Sequence, residues 1–414
     1  MKIVKLGEVV DLFNGSTPLK TNKNYWANGD VPWFTVDDLR KQGKYITYTE
    51  KFITKLGLKE SSVSLIPENA VLLCCTASVG AIAINKIRLT TNQQFNALVV
   101  KNSDQLLVEY LYYWFLANMD TLKSLGRATT IDYVSMSKLK DMALQLPSLE
   151  KQRQLVEKLD RAFTEIDVLE GNLEQSDVKF SQFMQSLLSV AFTFNVVNDE
   201  PSDSSAKGSL EMKLVPLKDI CTVFGDGDWI ESKDQSNEGI RLIQTGNVGS
   251  GVFKDRIEKA RWISEDTFKR LRCTEISEGD VLISRLPDPV GRACLLPTLE
   301  HKAITAVDCS IVRFDANKMD SKFFVYYSLS SEYASAIEPL ISGSTRQRIS
   351  REKLGTVQIP LPSLEKQRKI VEKLDSAFAE IDLLKAQIKI EKDYAAALRQ
   401  SLLNSAFTQE ASVA

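Results

Sequence analysis

The octapeptide LPSLEKQR stands at residues 146–153 and again at 361–368. Sliding the chain by 215 positions extends the match without a gap: residues 146–193 and 361–408 share 26 identities over 48 positions. A unit has been duplicated, and internal repetition constrains the fold before any other consideration. In the first copy the apolar residues Leu155, Leu159, Ala162, Ile166, Leu169 and Leu173 follow one another at spacings of 4, 3, 4, 3 and 4. In the second, Ile370, Leu374, Ala377, Ile381, Leu384 and Ile388 keep the same spacings. This heptad pattern predicts a long amphipathic helix in each copy. Forty or more helical residues span roughly 60–70 Å at about 1.5 Å each. LPS before each run supplies a stop for the preceding strand and a serine N-cap, with glutamate in the first turn. One such helix cannot bury its stripe alone, so the two are expected to pack on each other.

The segments before the helices correspond more faintly. MKIVKLGEVV (1–10) matches MKLVPLKDIC (212–221), VPWFTVDDL (31–39) matches IRLIQTGNV (240–248), and IPENAVLLC (66–74) matches ISEGDVLIS (276–284). Both segments hold short β-branched runs punctuated by Gly, Asn and Asp, with one helical stretch each, VEYLYYWFLANMDTLKS and SKFFVYYSLSSEYASAI. The expected plan is an α+β globule over 1–147 and a long helix over 148–195. A polar linker rich in Ser, Asp and Pro follows at 196–211, then a second globule over 212–362 and a second helix over 363–409.

The chain is of ordinary soluble composition, and no run of about 18 apolar residues exists to span a membrane. MKIVKLGEVV lacks the long apolar core of a signal peptide, so a cytoplasmic location is expected. The six cysteines show no CxxC spacing and read as thiols, not as a zinc site or a disulfide framework. The net charge of −2 does not advertise nucleic-acid binding, yet residues 1–145 carry 17 Lys+Arg against 13 Asp+Glu, which permits a local basic patch. No catalytic constellation is evident. The single histidine, His301, rules out a multi-histidine metal site. No GxxxxGK[ST] phosphate loop, HExxH motif or strand-linked GxGxxG is present, and FGDGDW (224–229) lacks the third glycine. No catalytic residue, cofactor or metal is therefore expected.

Two diverged globules, each followed by a near-identical long helix beginning LPSLEKQR, resemble the specificity subunit (HsdS) of type I restriction-modification systems over essentially the full length. KLGEVVDLFNGSTP (5–18), TTNQQFNALVV (90–100) and TRQRISREKLGTVQIPLPSLEKQR (345–368) add to the resemblance. One departure is that CCTASVG (74–80) lacks the arginine that its counterpart ISRLPDPVG carries as Arg285. The resemblance implies two target recognition domains, each reading one half of a bipartite site on double-stranded DNA. It implies long helices packed as an antiparallel coiled coil with pseudo-twofold symmetry, acting as a ruler for the unread spacer. These would dock two methyltransferase subunits and, through them, two motor-nuclease subunits, and the chemistry would belong to those partners. The rival reading is a duplicated coiled-coil scaffold whose globules bind protein.

Base readout calls for Arg toward guanine and Asn or Gln toward adenine. The polar, loop-like candidates are Lys20, Asn22, Lys23, Asn92, Gln93 and Arg127 in the first globule. In the second they are Lys233, Arg241, Gln244, Asn247, Arg285, Arg292, Arg346 and Arg348. Trp33 and Tyr45 are large enough to stack on a base, but aromatics of this kind more often fill a core. Glu150, Lys151, Gln152 and Arg153, with Glu365, Lys366, Gln367 and Arg368, are candidates for partner binding, against a well-capped helix start as the plain alternative. The repeated QSLL and AF near each helix end suit either docking or closure of the helix pair.

Overall fold

The computed structural model describes residues 2–76, 80–126, 134–194 and 213–408. The chain divides into two compact units, residues 1–173 with 389–414, and residues 174–388. Each unit therefore holds one globule, the first part of the long helix that follows it, and the last part of the other long helix.

The two predicted helices run over Leu149–Ser189 and Leu364–Thr408, 41 and 45 residues. Ser363 Oγ accepts from Lys366 N at 3.4 Å, the serine cap expected of LPS. Inside the first unit, Leu159 of the first helix shares a core with Leu403 and Phe407 of the second, while Arg399 reaches Asp167 and Glu170. Residue numbers rise on one helix as they fall on the other, so this pair is antiparallel. Inside the second unit, Leu188 and Phe192 share a core with Ile370 and Leu374, and Lys385 approaches Met184, which is the same antiparallel order. The heptad reading is only half realised. Leu159, Ile166 and Leu173 are buried, as are Ile370, Leu374 and Ile381, but Leu169 and Leu384 are 41% and 51% exposed. A helix of 3.6 residues per turn drifts off a 3.5-residue stripe, so the pattern does not stay on one seam along its whole length.

The globule of the first unit is built on a five-stranded sheet in the order Val10–Asn14, Phe95–Val100, Ala70–Cys74, Ile82–Asn85, Tyr45–Ile46. Its first four strands are antiparallel and the last is parallel to its neighbour. A three-stranded sheet follows the order Phe52–Ile53, Val31–Phe34, Thr90–Thr91. The second unit has an antiparallel four-stranded sheet, Cys221–Asp226, Cys309–Phe314, Val281–Ser284, Ala293–Leu295, and a five-stranded sheet through Ile240–Ile243 and Ala303–Thr305. In each, a short strand at the start of the globule pairs with the strand just before the long helix: Lys2–Lys5 with Ala143–Leu146, and Leu214–Pro216 with Gln358–Pro360. The globule thus closes on itself where the helix departs.

The predicted helical stretch of each globule is broken in two, Val108–Ala117 then Met119–Gly126, and Ser321–Tyr327 then Ser331–Ile337. Asn118 and Ser330 make the breaks, since both side chains bond local backbone and compete with the helix. These helices carry the aromatic core. Phe407 packs on Tyr110, and Phe192 packs on Phe323 and Tyr327, each edge or tilt contact near 5.5 Å. The repeated AF at the helix ends is therefore an anchor in the globules' cores. Trp33 is buried as well, with Nε1 donating to Ser16 O at 3.1 Å and its ring set edgewise on Trp26.

Candidate nucleic-acid interface

The repeated motif builds the same joint twice. Gln152 is fully buried; its Oε1 accepts from Leu107 N at 2.9 Å, and its Nε2 donates to Gln105 O and Pro147 O at 2.8 and 2.9 Å. Gln367 does the same with Asp320 N, Lys318 O and Pro362 O at 2.8, 2.8 and 2.9 Å. Two turns further, Tyr113 donates to Asp160 at 2.5 Å, and Tyr326 donates to Asp375. A lysine completes each aspartate, Lys44 on Asp160 and Lys322 on Asp375. Burial, then the bond to the neighbouring aspartate, pushes both tyrosines far above the ordinary phenol range. Glutamine and aspartate of LPSLEKQR-x-x-VEKLD thus pin the long helix to its globule at two points. This corrects the expectation for Gln152 and Gln367, which are sealed inside with every polar atom bonded and cannot meet a partner. Glu150, Lys151, Arg153, Glu365 and Arg368 are exposed and Lys366 is half-buried.

The far end of the second unit's four-stranded sheet gathers charge. The register sets Asp226 opposite Ser310 and Ser310 opposite Ile283, with Arg285 just beyond. Arg285 is 4% exposed. Its Nη2 donates to Val307 O at 2.6 Å and lies 3.3 Å from Asp226 and 3.8 Å from Asp308. Arg348 is 3.7 Å from Asp308, and Arg351 is 3.8 Å from Asp226. Arg346 is exposed in the turn that the Ser342–Arg348 bridge closes. Asp226, Asp308 and Arg351 escaped the sequence reading, because a carboxylate suggests no DNA contact until it is seen beside arginines. The one signal was the third arginine of TRQRISR.

Of the other candidates of this unit, Arg241, Arg292 and Asn247 are held by protein groups and Lys233 is exposed. Arg241 is buried and paired with Asp255. Arg292 donates to the carbonyls of Val248, Leu286, Pro289 and Thr245 at 2.7–3.0 Å, and burial lowers its pKa. Asn247 bonds Gln244 N and Lys254 O and forms a reciprocal cap with Gln244. Lys233 is exposed and pairs with Glu231 at 2.7 Å, beside the 70% exposed Trp229.

In the first unit the described residues at the corresponding sheet end are uncharged. Cys75 stands where Arg285 stands: its N–H meets Gln94 O at 2.9 Å as that of Arg285 meets Asp308 O at 2.9 Å, and its carbonyl accepts from Val134 as that of Arg285 accepts from Ile349. Asn96 Nδ2 donates to Cys75 Sγ, and Asn14 holds the place of Asp226. Asn92 turns its amide onto Gln94, and Asn22 caps Lys23–Tyr25, so both shape loops. Lys20, Lys23 and Gln93 are exposed, with Gln93 accepting from Thr17. Arg127 lies outside the described residues.

No reactive chemistry is assembled among the described residues. No cluster of His, Cys, Asp or Glu is placed to hold a metal. All six cysteines are free, and burial pushes Cys75, Cys294 and Cys309 up to about 12. His301 sets its ring edgewise on Trp262. A cavity of about 750 Å³ in the first unit is lined by Lys44, Tyr112, Tyr113, Asp160, Asp167 and Arg399, whose charges already satisfy one another. No helix among the described residues is long and apolar enough to cross a membrane.

The family model for the type I restriction modification DNA specificity domain matches residues 1–175 and again 210–392. The chain is 27% identical over 387 residues to the type I restriction enzyme MjaIX specificity subunit of Methanocaldococcus jannaschii, covering 90% of this chain and 85% of that one. It is 31% identical to the EcoprrI specificity subunit of Escherichia coli over a shorter stretch, 38% of this chain and 41% of that one. In fold it is similar to a chain from a structure of complex assembly and conformational transition of the type I R-M system (TM-score 0.75, 20% identity, 98% and 97% covered). The HsdS subunit from Thermoanaerobacter tengcongensis is also similar (TM-score 0.57, 20% identity, 98% and 96% covered). With the family's domain matched twice and spanning most of its length, the chain belongs to the type I restriction-modification DNA specificity family.

Proposed function

We propose that this chain is the sequence-reading subunit of a type I restriction-modification enzyme, acting on double-stranded DNA in the cytoplasm. Each globule reads one half of a bipartite site. The chain recruits two methyltransferase subunits and, through them, two motor-nuclease subunits, and it carries no catalysis of its own. The observation that carries this reading is the pairing of two near-identical helix–globule joints with two dissimilar sheet ends. A shared mechanical demand preserves the first, and different targets divide the second.

Lys20, Lys23 and Gln93 of the first globule, and Lys233, Arg285, Arg346 and Arg348 of the second, are the side chains we assign to DNA. Asn22, Asn92, Arg241, Gln244, Asn247 and Arg292 hold the loops that present them. For the partners we assign the exposed Glu150, Lys151, Arg153, Glu365 and Arg368, with Lys366. Two exposed apolar pairs that recur at the repeat spacing, Val168–Leu169 and Leu383–Leu384, continue this surface.

Exchanging residues 1–147 for the matching domain of a relative is expected to change one half of the methylated motif and leave the other intact. Sequencing genomic DNA methylated by the assembled complex checks this. Change in both halves, or in neither, would end the reading. Methyl transfer or cleavage by the purified chain without partners would end it too.

A further inference from the structure

The charged sheet end of the second unit is electrostatically unfinished. Three arginines and two aspartates converge there, yet the four Arg–Asp approaches run from 3.3 to 3.8 Å. Among the described residues, the Arg285 guanidinium makes one hydrogen bond, to Val307 O. Arg285 Nε and Asp226 Oδ1 are buried with no hydrogen-bond partner, and so is Ser310 Oγ next to them. A buried donor left without a partner is destabilising, more so when charged, and a half-satisfied network is worse than none. Such an arrangement is kept when a ligand completes it. The ligand must bring acceptor oxygens and negative charge, because the site holds one more arginine than aspartate. It must also arrive over the turn 342–348, where Arg348 and the nearby Arg351 are about half exposed.

We infer that Asp226 and Asp308 guard a binding site for one DNA backbone phosphate, formed by Arg285 at its floor and by Arg348 and Arg351 at its mouth. The inference rests on the DNA-reading function proposed above and gives that surface a division of labour. Without DNA the carboxylates hold the arginines at a distance too long to satisfy them. A phosphate takes the guanidinium donors that the carboxylates leave free, since arginine meets phosphate in the same planar fork as carboxylate. The carboxylates repel every phosphate that arrives without the full set of arginine contacts. The site thus weakens binding to arbitrary DNA more than binding to the cognate site, where base contacts hold the duplex in register. A phosphate is favoured over a guanine edge because two of the three arginines sit at the exposed mouth and can close on a ligand from several sides.

The test uses the full chain assembled with its methyltransferase partners, on a duplex carrying the methylated motif and on a scrambled duplex, titrated across a salt series. Asp226→Asn and Asp308→Asn keep side-chain shape and remove the guard. Each is expected to raise affinity for the scrambled duplex several-fold and to lower the ratio of motif to scrambled binding. Arg348→Gln and Arg351→Gln are expected to weaken binding to both duplexes alike. Each should reduce the slope of log affinity against log salt by about one, as loss of a single phosphate contact does. The methylated motif should stay the same in all four variants. Unchanged or reduced scrambled-DNA affinity in both asparagine variants would overturn the guard. A motif altered by either glutamine variant would show base readout and overturn the phosphate assignment. If the unaltered complex showed no preference for its motif, the DNA-reading function would fall, and this site with it. An intact preference with unchanged salt slopes sinks the phosphate site alone.

Discussion

The two units are alike where the helix meets the globule and unlike where the sheet ends. At the joint, Gln152 and Gln367 make the same three hydrogen bonds, and Asp160 and Asp375 each take a tyrosine and a lysine. The lysines come from unrelated positions, 44 and 322, so the charge has been supplied twice by different routes. At the sheet end, Asn14, Cys75, Gln94 and Asn96 in one unit stand where Asp226, Arg285, Asp308 and Ser310 stand in the other. Angular rigidity between helix and globule is a demand both halves share, and a fully bonded buried glutamine meets it in one way only. Under the proposed function these positions meet two different targets, which impose no such common answer, and they differ in charge as well as in identity.

The largest effect should come from breaking a joint. Gln152→Leu strands the Leu107 N–H and the carbonyls of Gln105 and Pro147 in a dry interior. A loss of about 2–4 kcal/mol follows from one charge-free donor and two acceptors left unpaired. Gln367→Leu should cost the same within error. Urea unfolding of the two variants checks both statements, and a clear inequality would show that the joints are not equivalent.

Alkaline titration comes next. Burial pushes Tyr112 in one unit and Tyr327 in the other up to about 12, from an ordinary 10.0. The folded state therefore holds these protons more tightly than the unfolded state. The stability tied to them is complete below about pH 10 and is lost as pH rises toward 12. Thermal unfolding between pH 9 and 12 should show the decline in both units. The buried thiols follow the same sign, so Cys75, Cys294 and Cys309 should resist alkylation at pH 8 until the chain unfolds. Tyr113→Phe and Tyr326→Phe are milder. Each removes one bond to a partly exposed aspartate, for about 1 kcal/mol. Equal losses would again mark the joints as copies.

Much of this plan is legible in the chain itself. The duplication, the long helices and the two α+β globules follow from identity at a fixed offset and from heptad spacing. The joints were not, because a glutamine in a charged first turn reads as surface. Only the approach of the loops at 105–107 and 318–320, distant in sequence, reveals it as interior. The interface candidates divided for a similar reason. Asn, Gln and Arg suit base edges and backbone carbonyls equally well, and composition alone does not separate Arg292, spent on four carbonyls, from Arg348, half exposed at the mouth of a charged site.

The smallest predicted effect sharpens the comparison along the helices. In the first unit Arg399 bonds Asp167 and Glu170 and lies 5.0 Å over the ring of Phe163. At the repeat offset of 215, the same place in the second unit is Met184, and the counterpart of Glu170 is Lys385, whose Nζ approaches the Met184 sulfur at 3.5 Å. One helix pair is closed by ions, the other by a thioether. Arg399→Met should transplant the second solution into the first unit. The ion cluster is partly exposed, with the carboxylates at 67% and 36%, so screening keeps its worth to about 0.5–1 kcal/mol at low salt. The methionine recovers much of the packing over Phe163, since sulfur also favours an aromatic neighbour. The net loss should be a few tenths of a kcal/mol and should vanish as ionic strength approaches 1 M, where the screening length is about 3 Å. Met184→Arg in the second unit should bring no gain, because Lys385 would face it with like charge. Unfolding of both variants at low and high salt separates the cases. A salt-independent loss in Arg399→Met would mean that the arginine acts through its stem and its ring contact, and that the two helix pairs differ in shape more than in charge.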